Sequence, residues 1–133
     1  MKKLLTIVVL GLVWCGNVNA KIILFKNCAE KKDYEKWEYK INTYKKNIQH
    51  IRIYTDNYLK YLKETKQSSG AKITKIEYFI DYYNSPYLKG VRNFVHKSEK
   101  RKEELDFILN NKIIIQTFTY GDGSTLSAEM QCE

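Results

Sequence analysis

Two histidines, His50 and His96, are the first side chains of a type that transfers protons or binds metals. A metal site built on them would need further donors, such as Asp56, Glu99 or Asp106, at converging positions. The chain has neither a His-x-x-x-His nor a Cys-x-x-Cys spacing. They read as histidines on polar strand faces, with no metal site. The carboxylate pairs Glu77/Asp81 and Glu104/Asp106 are evenly spaced. On strands this sets each pair on one face, as acid–base attack on a glycosidic bond requires. Solvated strand faces carry the same pattern. Ser68 and Ser69 lie in a loop-like stretch and Ser124 in a glycine turn, with no Gly-x-Ser-x-Gly elbow. Gly121-Asp122-Gly123 lacks the lysine of a phosphate loop and the ligand series of a calcium loop, and reads as a hairpin turn. No residue is assigned a catalytic role and no cofactor is implied, so the sequence favours a non-catalytic protein.

The aromatic content stands out, with 11 tyrosines. Trp37, Tyr39, Tyr78 and Tyr82 fall on apolar strand faces. They read either as core filling with a polar tip, or as the lining of a barrel mouth or groove that stacks on sugar rings or holds an apolar ligand.

The elements that must position these residues show a period of two. In Glu35 to Thr43, Trp37, Tyr39 and Ile41 alternate with polar residues. After the turn-like Tyr44-Lys45-Lys46-Asn47, Ile51 and Ile53 alternate with His50, Arg52 and Tyr54. Asp56 to Lys66 breaks the alternation with a narrow helical stripe at Tyr58, Leu59 and Leu62, and Thr55 or Asp56 is placed to cap it. Alternation returns over Ile73 to Tyr83, with Ile76, Tyr78, Ile80 and Tyr82 on one face. Leu88 to His96, Glu103 to Asn110, Lys112 to Tyr120 and Leu126 to Cys132 read as further strands, and Lys21 to Lys26 as an opening one. Lys97 to Lys102 reads as a charged turn or helical fragment, and Asn110-Asn111 suits the positive φ of a tight hairpin turn. The sum is a mostly β domain: an antiparallel meander of seven or eight short strands curled into a small barrel or half-barrel, with at most one or two short helices. An α+β layer with helices at 56–66 and 97–109 is the rival. The i, i+2, i+4 spacing of Leu105, Phe107 and Leu109 weighs against it.

The N-terminus bounds the domain. Lys2 and Lys3 precede a mostly apolar run from Leu4 to Trp14, and Val18-Asn19-Ala20 is a small-residue exit, so residues 1–20 read as a cleavable signal peptide. As a membrane anchor the run is about half the ~20 residues a bilayer requires. Lipidation at Cys15 is opposed by the bulky Trp14. Cleavage leaves residues 21–133 as one exported domain, periplasmic or secreted, with no transmembrane helix. It also lowers the formal charge of +8 by the two lysines lost, and leaves Cys28 and Cys132 as an even pair. In an oxidising compartment they are expected to form a disulfide. All but three of the 23 basic residues are lysine, the exceptions being Arg52, Arg92 and Arg101. Arginine is the usual reader of bases and clamp of phosphates, so nucleic acid is not the expected partner.

The chain resembles small exported proteins of unknown function from Pelagibacter-type marine alphaproteobacteria. The resemblance rests on the short lysine-led signal, the early cysteine in Lys26-Asn27-Cys28, and the hairpin motif Trp37-Glu38-Tyr39-Lys40-Ile41-Asn42. The hairpin from Leu105 to Ile115 and the terminal Gln131-Cys132-Glu133 complete it. It implies a β-rich exported domain with paired cysteines and supplies no catalytic residue. The expected function is binding or interaction with an envelope protein, glycan or lipid. The alternatives are a small envelope hydrolase with an unrecognised carboxylate/His site, and lysine-mediated association with anionic lipid or polysaccharide.

Overall fold

The computed structural model describes residues 21–28, 34–67 and 72–133. The signal segment 1–20, including Cys15, and the serines Ser68 and Ser69 lie outside the described residues. Eight strands follow one another in space as in sequence: β1 (Ile22–Phe25), β2 (Glu35–Asn42), β3 (Asn47–Tyr54), β4 (Ile73–Asn84), β5 (Tyr87–His96), β6 (Glu99–Ile108), β7 (Ile113–Thr119) and β8 (Thr125–Gln131). Every neighbouring pair is antiparallel. The sheet curls into a half-barrel, as the alternation and short turns lead one to expect.

A single helix among the described residues, α1 (Asp56–Glu64), joins β3 to β4. Thr55 caps it, its Oγ1 accepting from the Tyr58 N–H at 3.3 Å. At the other end Lys66 takes φ 55°, and the N–H groups of Lys66 and Gln67 return to the carbonyls of Lys63 and Leu62, a Schellman arrangement with lysine where glycine is usual. No helix among the described residues is long and apolar enough to cross a membrane.

The charged run 97–102 is neither a helix nor only a turn. Lys97 and Ser98 both take positive φ, 48° and 66°, as a two-residue hairpin of the primed type demands, and β6 starts at once with Glu99. Good helix formers such as Glu-Lys-Arg-Lys-Glu-Glu are held extended because β5 and β7 pair with them on both sides. The β6–β7 hairpin also differs from expectation. Its positive φ falls on Lys112 (55°), not on Asn110 or Asn111, mirroring Lys46 (53°) in the β2–β3 hairpin.

The concave face is apolar at one end. Phe25, Ile41, Ile48, Leu88, Leu105, Phe107 and Ile114 are buried there with the Cys28–Cys132 pair and Met130. Gly90 belongs to this layer: a Cβ at that position would overlap Ile48 Cδ1, so the missing side chain lets the isoleucine reach across the sheet. The two ends of the sheet meet at the cysteines. Lys26 and Glu133 exchange backbone hydrogen bonds of 3.1 and 2.7 Å, and the Cys28 and Cys132 sulfurs lie at bonding distance across a Cα separation of 4.3 Å. Lys112 adds a clasp, its Nζ donating to the Leu24 carbonyl at 2.8 Å and lying over the Phe25 ring.

Candidate functional site

The same concave face turns polar toward its other end. Directly opposed residues of antiparallel strands share a face. The Tyr39↔His50 and Trp37↔Arg52 pairs therefore place all four with Ile41 and Ile48. Likewise Arg92↔Glu103 and Phe94↔Arg101 continue the face of Leu88 and Leu105. Gln116, opposite Leu105, completes the band on β7. His50 therefore sits inside and Ile51 and Ile53 outside, the reverse of the sequence expectation. Both faces of β3 contain isoleucine, and only the register set by the 43–46 turn separates them.

Three buried polar side chains occupy this band: His50, Glu103 and Gln116, at 2%, 4% and 7% exposure. Glu103 Oε1 accepts from the Tyr78 hydroxyl at 2.6 Å and, at short range, from Gln116 Nε2. Its Oε2 faces Arg92 Nη1 at 3.8 Å, an ion-pair separation and not a hydrogen bond. The His50 ring stacks on Tyr39, 4.4 Å between centroids and 13° between planes, and makes a T-shaped contact with Trp37 at 4.8 Å. Among the described residues, neither imidazole nitrogen of His50 nor the Tyr39 hydroxyl has a hydrogen-bond partner, although all three are buried. Burial, reinforced by Arg52 and Arg92, lowers the His50 pKa to about 3, so the ring is neutral. Burial and then the Glu103 charge push both the Tyr39 and Tyr78 hydroxyls well above the usual phenol range.

All three arginines of the chain lie on this face, each over an aromatic ring and each facing a glutamate. Arg52 covers Trp37 at 5.2 Å and grips Glu35 with Nε and Nη2; the Trp37 indole N–H also donates to Glu35. Arg92 covers Phe94 at 4.2 Å beside Glu103, and Arg101 covers Tyr120 at 5.1 Å while bonding Glu99 at 2.8 Å. Guanidinium groups stack and pair in this way where lysines would stay hydrated.

Of the four aromatic residues marked from sequence, Trp37, Tyr39 and Tyr78 come together in this band. Tyr82 does not. A register shift between Ile80 and Tyr82 inserts Asp81 as an extra residue and pairs Tyr82 with Lys89, turning it to the convex face. There, half exposed, it borders an open depression of about 500 Å³ with Tyr87, Lys89, Asp106, Ile108 and Ile115. Glu104 and Asp106 share the convex face of β6, where Glu104 pairs with Lys102 and Asp106 faces Lys89, and Asp81 borders the same depression as Asp106, while Glu77 takes a hydrogen bond from Gln49. His96 is exposed at the end of β5. Among the described residues, no three His, Cys, Asp or Glu side chains group to hold a metal ion. Asp122 closes the β7–β8 turn, accepting from the Ser124 N–H and hydroxyl, and the Gly121 N–H donates to Glu99.

Sequence reasoning did not mark Arg92, Glu103 or Gln116 as site residues, and it set His50 on a polar strand face. A signal existed: carrying the Leu105/Phe107 alternation backward reaches Glu103 and Arg101, and doubling the chain about residues 43–46 puts His50 opposite Tyr39. No family model, curated protein or solved structure matches the chain.

Proposed function

We propose that this is an exported, non-catalytic binding protein that takes a small ligand at the polar end of its concave face. One observation carries the reading: the Tyr39 hydroxyl and both His50 nitrogens are buried inside the half-barrel without partners among the described residues. Each unpaired buried polar atom costs roughly 1–3 kcal/mol, and an apolar residue at either position would avoid that cost. A buried polar atom left unpaired calls for an explanation, and a ligand that supplies the missing partners is the one proposed here. Trp37, Phe94 and Arg92 bring ring surface and N–H donors to the same concave face. The signal-like segment 1–20 and the Cys28–Cys132 pair support export to an oxidising compartment.

A thermal-shift and intrinsic-fluorescence screen of the oxidised protein against envelope glycans, lipids and small organic acids tests it. Saturable binding that is lost in Tyr39→Phe and His50→Phe supports the reading. Binding that ignores both substitutions removes it.

The hydrolase alternative has one observation in its favour, the presence of His50 and Glu103 in one interior band. Glu103 is committed to Tyr78 and Gln116, and His50 has no carboxylate partner to orient it as a base. Turnover of an envelope substrate that disappears in Glu103→Gln while binding persists is the result that would establish it.

A further inference from the structure

We infer that the ligand carries a carboxylate on a compact apolar or aromatic body, and that Arg92 is its anchor. The inference rests on the binding role assigned above to the concave face and names the ligand class for that site. Hydrogen bonding separates Arg92 from the other two arginines, which share its partial exposure. Arg52 is saturated by Glu35 through contacts of 2.9 to 3.2 Å, and Arg101 by Glu99 at 2.8 Å. Arg92 has no hydrogen-bond acceptor among the described residues, its nearest carboxylate oxygen being 3.8 Å away. That carboxylate, on Glu103, already accepts two hydrogen bonds on its other oxygen. The Arg92 side chain is three-quarters buried yet keeps 26% exposure, so its donors are held in place and still reachable.

The shape of the anchor selects the ligand. A guanidinium fork fixed over the Phe94 ring at 4.2 Å presents parallel N–H donors, which match a planar carboxylate in bidentate fashion. A phosphate dianion fits poorly. With Arg52 and Arg101 neutralised, its second charge would meet only the nearly fully buried Glu103 carboxylate. The remaining surface, Phe94 and Trp37 beside the His50 stack, suits an apolar or aromatic body. Neutral His50 supplies one donor and one acceptor nearby without adding charge.

The test compares isosteric acids and amides by calorimetry on the oxidised protein: benzoate against benzamide, hexanoate against hexanamide, with inorganic phosphate as a third anion. The expected result is that an acid binds at least tenfold tighter than its amide and tighter than phosphate. Arg92→Gln erases that preference, Arg92→Lys retains part of it, and Lys89→Gln, on the convex face of the same strand, leaves it intact. Should Arg92→Gln fail to fold by circular dichroism, the acid–amide comparison in the unmodified protein and in Arg92→Lys decides. Equal affinity for acid and amide, phosphate preferred over the acids, full preference in Arg92→Gln, or binding of neither acid each overturns the proposal. In the last case, binding of a neutral glycan or lipid that still depends on Tyr39 and His50 would leave the interior binding site standing with its ligand class wrong. Absence of any such ligand would remove both.

Discussion

The Tyr39 ring and the His50 imidazole lie nearly parallel, 4.4 Å apart, with the hydroxyl of one and both nitrogens of the other buried and unpaired among the described residues. The pair sits opposite in register on β2 and β3, so backbone pairing and ring stacking hold the same contact. It marks the border between two halves of one concave face. Below it lies an apolar core closed by the cysteines; above it lie three arginine–aromatic contacts.

His50 makes stability depend on pH from about 6.5 downward, starting above the carboxylate range. Its native pKa of about 3 lies below the unfolded value, so the unfolded chain binds the proton first. Stability is full above about pH 6.5 and falls as pH drops toward 3, by roughly 1.4 kcal/mol per pH unit for this group. The cause is burial, with the Arg52 and Arg92 charges adding to it, while Glu103 in the same band is drawn to Arg92, Tyr78 and Gln116. Urea melts at pH 7 and pH 4.5 should show this loss, and His50→Phe should flatten it. The depressed carboxylates of Asp56, Glu99, Glu104 and Asp122 lose their contributions as pH falls through the ordinary carboxylate range toward their own lowered values.

Glu103 holds the interior polar band together. Glu103→Ala strands the Tyr78 hydroxyl and removes the charge facing Arg92, a loss of about 3–5 kcal/mol. Tyr78→Phe should cost about 1–2 kcal/mol. A double-mutant cycle on the two, read by urea denaturation, should return a coupling well above zero; simple additivity would mean that the 2.6 Å contact contributes nothing.

Gly90 is needed for space rather than for backbone freedom. Gly90→Ala drives a methyl into Ile48 Cδ1 and should destabilise by roughly 1–3 kcal/mol. Ile48→Val shortens the side chain that reaches across, so the double variant should recover part of the loss. Equal losses with and without Ile48→Val would contradict the contact.

The cysteine pair spans 104 residues of sequence, and closing a loop of that size is worth roughly 4–5 kcal/mol in the chain-entropy model. Cys28→Ser with Cys132→Ser should lower the urea midpoint accordingly. The native protein should have a mass two hydrogens lighter than its reduced form.

The meander was legible because period-two alternation and turn residues are local signals, and the helix because Thr55 and the Tyr58/Leu59/Leu62 stripe are local too. The faces were not always legible. On β3 the isoleucines at 48, 51 and 53 divide between both faces, so hydrophobicity cannot say which one Arg52 and His50 share. On β4 the extra residue at Asp81 reverses the alternation and carries Tyr82 away from Tyr78, and a bulge leaves no mark in composition. The polar band was hidden for a related reason. Arg92, Glu103 and Gln116 stand on three strands, and only curling of the sheet makes them neighbours. Cys28 and Cys132 were readable as a pair because counting, not geometry, singled them out.

The central claim is that a ligand reaches the Tyr39–His50 stack. The most direct measurement is an NMR titration of the imidazole nitrogens with benzoate or hexanoate, whichever binds tighter. The chain has two histidines, one buried in the band and one exposed at the end of β5, so the spectrum holds its own control. The account predicts a saturable shift of the His50 resonances while those of His96 stay in place. His50 resonances unmoved at saturation would contradict it.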